Sequence, residues 1–151
     1  REKQKAKRIY GVLERQFRKY FEIAEHERGV TGLVLLQILE RRLDNVVYRL
    51  CLANSRAHAR QMVLHNHTYV NDRKVNIPSY LVKEGDTIEI KGKAEFTKRI
   101  SDMQIELKDK VVPKWIEPRK DALKGTVKSL PAKEDLDLSI EEQLIVELYS
   151  K

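Results

Sequence analysis

The chain has 151 residues, 41% of them apolar and 35% charged, with 30 Lys and Arg against 23 Asp and Glu for a net charge of +7. That length suits one domain or two small ones with a buried core, and the charge points to an anionic partner. The single cysteine excludes a disulfide framework and a Cys-rich zinc site within these residues. The richest apolar run, Gly32 to Leu39, is broken by Gln37 and is far too short to span a bilayer, and no signal peptide is visible. Arg1 in place of a starting Met points to a mature or trimmed chain.

The basic excess is uneven. Residues 1–20 carry eight basic and two acidic side chains, whereas residues 133–151 carry two and six. The acidic tail is therefore expected to pack against protein rather than nucleic acid.

In chain order, the spacing of Ile9, Val12, Leu13, Phe17, Tyr20, Phe21 and Ala24 predicts one amphipathic helix to about residue 27, ended by Gly29. Arg15, Arg18 and Lys19 share another face of it. Thr31 can cap the next helix, with Leu33, Leu36 and Leu39. Leu43, Val46, Val47 and Leu50 predict a short third helix. Ser55 reads as the N-cap of a fourth, from Arg56 to about Leu64, with Asn66 as its stop. From Thr68 the period becomes alternating. Tyr69-Val70, Lys74-Val75 and Thr87 to Ile90 read as strands, with turns at Asn71-Asp72-Arg73, Pro78 and Glu84-Gly85-Asp86. Residues 94–109 return to helix, and residues 111–135, with Pro113, Pro118, Gly125 and Pro131, read as irregular. Ser139 to Tyr149 reads as a closing helix with a capping box.

Nothing in the sequence argues for catalysis. The six glycines are scattered and make no phosphate cradle. His26, His58, His65 and His67 have no metal-ligand spacing, and Cys51 reads as a small packed hydrophobe. Asp44 is expected to pair with a nearby arginine and Asp86 to belong to a turn.

Recognition chemistry concentrates between Arg42 and Ile90. Arg56, Arg60 and His65 fall along roughly one side of a helix that also carries Gln61, and the following turn offers Asn71, Arg73 and Lys74. Guanidinium forks, amides and a helix start suit the phosphates and 2′-hydroxyls of a folded RNA.

Arg42-Leu43-Asp44, Ser55-Arg56, Ala59-Arg60-Gln61, Tyr69-Val70-Asn71, Val75-Asn76-Ile77-Pro78-Ser79-Tyr80 and Gly85-Asp86 resemble the S-four RNA-binding domain. The flanks Arg1 to Lys5, Arg8 to Phe17 and Leu144 to Lys151 resemble the bacterial-type family of small-subunit ribosomal protein four. The resemblance covers essentially the whole chain. It implies an α+β fold: a helical domain built from both chain ends, residues 1–40 and 119–151, with the S-four domain and its following helix inserted at 41–118, short helices on a small, mainly antiparallel sheet.

It also implies a non-enzymatic constituent of the cytoplasmic small ribosomal subunit, with no cofactor or small-molecule substrate and no membrane contact. The family binds small-subunit rRNA, clamping a multi-helix junction in its 5′ domain early in assembly. It touches ribosomal protein five, bears on decoding accuracy, lies near the mRNA entry, and in some bacteria represses its own operon's mRNA. The alternative from another class is the RNA-binding module of an rRNA- or tRNA-modifying enzyme. Family members usually carry some forty more residues upstream, which bind zinc in some species; without them no metal is assigned. Glycines common in the family are replaced by Asn66 and Asp72, both able to adopt positive φ.

The expected mechanism is a two-part clamp. Lys3, Lys5, Lys7, Arg8, Arg15, Arg18 and Lys19 would neutralise phosphates. Arg56, Arg60, Gln61, His65, Asn71, Arg73 and Lys74 would set orientation, and the resemblance adds Arg42, Ser55 and Tyr80.

Overall fold

A computed structural model describes residues 1–119, 122–136 and 140–149. It is α+β, and it separates into two compact units, Arg1–Glu40 with Pro131–Lys151, and Arg41–Leu130.

The helical unit contains α1 (Glu2–Tyr10), α2 (Glu14–His26), α3 (Thr31–Glu40) and α7 (Glu142–Tyr149). The single helix expected over residues 1–27 is two. Gly11 takes the left-handed conformation at φ 66°, its N–H returns to Lys7 O, and Leu13 is extended before α2 begins. The apolar stripe runs on across the break because both helices face one core of Ala6, Tyr10, Phe17, Tyr20, Phe21 and Ala24. Gly29, at φ 112°, lies beyond α2, which ends at His26. Gly32 is needed for packing: a Cβ there would stand 2.6 Å from Glu142 Cγ, so only glycine lets α3 approach α7. The acidic tail packs back on the first helices. Tyr149 stacks on Phe21 at 4.4 Å, and Glu141 N–H donates to Glu2 Oε2 at 3.0 Å. The expected cap Ser139 lies outside the described residues.

The second unit opens with α4 (Leu43–Arg49) and α5 (Arg56–Leu64), followed by β1 (Thr68–Val70), β2 (Arg73–Lys74), β3 (Thr87–Ile90), α6 (Ala94–Glu106), β4 (Ile116–Pro118) and β5 (Lys124–Val127). The strands form one antiparallel sheet in the order β2-β1-β3-β5-β4, with Val70 opposite Ile88 and Ile88 opposite Gly125. Leu43, Val46, Val47 and Leu50 of α4 and Ala59, Met62 and Val63 of α5 pack with Val70, Ile88, Trp115 and Val127 in one core. A Cβ on Gly125 would collide with Leu50, so the bare backbone of β5 makes room for the end of α4.

β4 and β5 correct the reading of residues 111–135 as irregular. Pro118 ends an edge strand, where its missing N–H costs no ladder bond, and Gly125 supplies no side chain to reveal the alternation. The pairing of β5 with β3 also moves the second boundary between units, expected at 119, to Pro131. Cys51 lies just past α4 at φ 61° rather than on a helix face, and burial pushes its thiol pKa up.

Candidate nucleic-acid interface

Ser55 starts α5 by accepting a hydrogen bond from His58 N–H at 3.0 Å. This satisfies one of the helix's orphan donors, so Ser55 serves the fold as a cap. With Ala59, Met62 and Val63 buried, Arg60 and Gln61 on the opposite face and His65 just past the helix are exposed. Asn66 then reverses the chain at φ 67° and delivers β1. At the β1–β2 hairpin tip Asn71 and Asp72 both have positive φ, 51° and 65°, as a tight twisted hairpin turn demands. The turn displays Arg73 and Lys74, both exposed on the edge strand β2.

Asn71 is exposed and also bonded across the sheet. Its Nδ2 donates to Asp86 Oδ1 and its Oδ1 accepts from Thr87 N–H, both at 2.9 Å, while Asp86 Oδ2 accepts from Lys83 N–H. The amide of Asn71 locks the hairpin to the start of β3 with one of its two N–H groups and its oxygen, and Asp86 is a turn residue as expected.

Arg42 is also structural. It is 3% exposed, and its Nε and Nη2 hold the two oxygens of Asp44 at 3.2 and 3.1 Å. A fork–fork pair at that depth leaves no surface for a phosphate. Asp44 Oδ1 also accepts from Asn45 N–H at the start of α4. Tyr80 is half-buried and its backbone oxygen accepts from Leu43 N–H; burial, then the charge of Asp86, raises its phenol pKa.

Arg56 is half-buried, unlike the exposed Arg60 and His65. Its Nε donates to buried Asn45 Oδ1 at 2.9 Å and its guanidinium lies 4.6 Å from the centre of the Tyr48 ring. Asn45, Tyr48 and Lys110, which bonds Tyr48 Oη at 2.8 Å, were not among the expected residues. No local pattern marks them, since Lys110 is 62 positions from its tyrosine.

In the helical unit, Lys3 and Lys7 converge on one oxygen of Glu14 at 2.7 and 3.2 Å, and Tyr149 Oη donates to its other oxygen at 3.1 Å. The hydrogen bond from Lys3, reinforced by Lys7 and Tyr149 against partial burial, holds the Glu14 carboxyl down at about 2. Lys3 is raised, first by the same bond. Lys5 lies 3.7 Å from Glu2. Arg8, Arg15, Arg18 and Lys19 are exposed and have no carboxylate partner among the described residues. Arg15, Arg18 and Lys19 share one side of α2, as their spacing predicts.

No cluster of His, Cys, Asp or Glu able to hold a metal occurs among the described residues, and no described helix is long and apolar enough to cross a membrane.

Capped helix, twisted hairpin and small antiparallel sheet together define an S4 domain, and the sequence pattern of that domain matches residues 41–88. The pattern of the ribosomal protein S4/S9 N-terminal domain matches residues 1–40. Across all 151 residues the chain is 56% identical to small ribosomal subunit protein uS4A of Symbiobacterium thermophilum, covering 72% of that protein. It is also 56% identical to the uS4 proteins of Geobacter sp. strain M21 and Halothermothrix orenii, covering 73% of each. The chain belongs to the uS4 family of small ribosomal subunit proteins, a family of structural proteins and not of enzymes.

Proposed function

We propose that this chain is a structural constituent of the bacterial small ribosomal subunit, working in the cytoplasm as a primary binder of small-subunit rRNA. In this reading it clamps a multi-helix junction of the 5′ domain, nucleates subunit assembly and influences decoding accuracy. It neighbours ribosomal protein five and other small-subunit proteins and lies near the mRNA entry. The observation that carries the reading is the outward set Arg60, Gln61, His65, Arg73 and Lys74 on a capped helix and a pinned hairpin. A second set, Arg8, Arg15, Arg18 and Lys19, supplies phosphate neutralisation from the helical unit.

The bonds of Ser55, Asn66 and Asn71 fix the backbone that carries these donors in the free protein, so binding orders side chains and not the scaffold. A preorganised scaffold lowers the entropic cost of association. An A-form major groove is too narrow for side chains to read, so discrimination rests on the shape of the folded junction and on 2′-hydroxyls. With about 6–10 phosphates contacted, affinity falls by roughly 10³–10⁵ between 50 and 200 mM monovalent salt. Filter binding to a 5′-domain transcript across that range tests the reading. A response flat in salt, or equal affinity for an unfolded RNA of the same length, defeats it.

A further inference from the structure

Tyr48, half-buried on α4, gathers cations from distant parts of its unit. Arg56 Cζ lies 4.6 Å and Lys110 Nζ 4.3 Å from its ring centre, and Lys110 also donates to Tyr48 Oη at 2.8 Å. The ring's negative face explains each approach taken singly. These distances place the two cations within a Debye length of one another, about 10 Å at 0.1 M salt, so the ring gathers positive charge at one place. Lys110 is exposed, and among the described residues no carboxylate is within ion-pair reach of it. One of its three N–H groups is engaged by the phenol; a lysine ammonium has two more to offer.

The field is legible on the phenol itself. The Tyr48 pKa is lowered, first by the Lys110 hydrogen bond and then by the charges of Lys110, Arg56 and Arg49. Arg56 begins α5, so this positive locus continues the donor face of Arg60, Gln61 and His65 rather than forming an isolated patch.

We propose that Lys110, positioned by Tyr48, binds a phosphate of the RNA backbone and extends the RNA-facing surface of the S4 unit to the turn after α6. This rests on the rRNA-binding reading above. Tyr48 acts through Lys110 and Arg56: it aims the first by its hydroxyl and holds the second over its ring.

The test is binding of the full chain to the 5′-domain transcript of small-subunit rRNA between 50 and 200 mM salt, with unfolding followed in parallel. Lys110→Met is expected to weaken binding about three- to tenfold and to lower the salt slope by about 0.7–0.9, the share of one released counterion. Lys110→Arg restores the slope. Tyr48→Phe keeps the ring and the cation but loses the aim, so affinity falls about two- to threefold with the slope unchanged. Lys98→Met, the same charge change on the exposed side of α6, leaves the slope alone.

If the unaltered chain binds normally and Lys110→Met matches it in affinity and slope, this inference alone is overturned. It is equally overturned if Lys110→Met lowers the melting temperature but not the slope, or loses only an acidic protein partner. If the unaltered chain fails to bind the transcript, the ribosomal reading falls and takes this inference with it.

Discussion

The two units differ in how they hold the cations expected to face RNA. In the S4 unit one arginine, Arg42, is withdrawn into the core and matched to Asp44, and the outward Arg60, Arg73 and Lys74 carry no carboxylate partner among the described residues. In the helical unit the nominally basic first helix lends Lys3 and Lys7 to a single half-exposed carboxylate, Glu14, while Arg8, Arg15, Arg18 and Lys19 project outward. A count of lysines and arginines therefore overstates the charge available to RNA near the N-terminus. What matters is whether the scaffold supplies a counter-charge before the ligand arrives.

Breaking the buried pair should have the largest effect. Asp44→Ala leaves the Arg42 guanidinium 3% exposed and without its carboxylate. It is expected to destabilise the S4 unit by about 3–5 kcal/mol, read from urea unfolding. A loss below about 1 kcal/mol would mean that Arg42 finds water or another partner, and that the contrast between units is shallower than drawn.

On the outward side, Arg60→Ala should cost about 1–3 kcal/mol of junction binding with an unchanged melting temperature. An unaltered dissociation constant removes Arg60 from the interface.

The smallest effect sharpens the comparison from the helical side. Glu14 is depressed from 4.5 to about 2, so its contribution to stability is fully present above pH 4.5 and is lost as pH falls through 2. Because the side chain is 42% exposed, solvent screening keeps the contribution under about 1 kcal/mol. Glu14→Gln should flatten that part of the acid-unfolding curve. At neutral pH it should also tighten RNA binding slightly, because Lys3 and Lys7 are released. Binding that weakens instead would show that Glu14 positions those lysines for RNA rather than withholding them.

Features set by local chemistry were legible in the sequence. Ser55 as a cap needs only its hydroxyl and the next turn of helix, and Asn66 and Asp72 announce positive φ because asparagine and aspartate tolerate it. The Asp44 partner was legible because Arg42 stands two residues away. What escaped depended on distance or on absence. The break at Gly11 was masked by a stripe that stays in phase on both sides. β5 was hidden because Gly125 contributes nothing to an alternating pattern, although its bareness is what admits Leu50. Glu14 meets Tyr149, 135 positions away, and Asn71 meets Asp86 across the sheet, so neither partnership could be read locally.

The helical unit draws on both ends of the chain, with Glu141 bonded to Glu2 and Tyr149 stacked on Phe21. On a translating ribosome this separates its two halves in time. At about 5–20 residues per second, roughly 100 residues between α3 and α7 take about 5–20 s to synthesise. The sheet-containing unit, whose sequence is contiguous, is finished first. Until the tail emerges, Phe21 waits without Tyr149, Glu14 without the phenol and Lys3 without the ring that lies 5.0 Å from its ammonium, so in the nascent helical segment Lys3 and Lys7 are held by Glu14 alone.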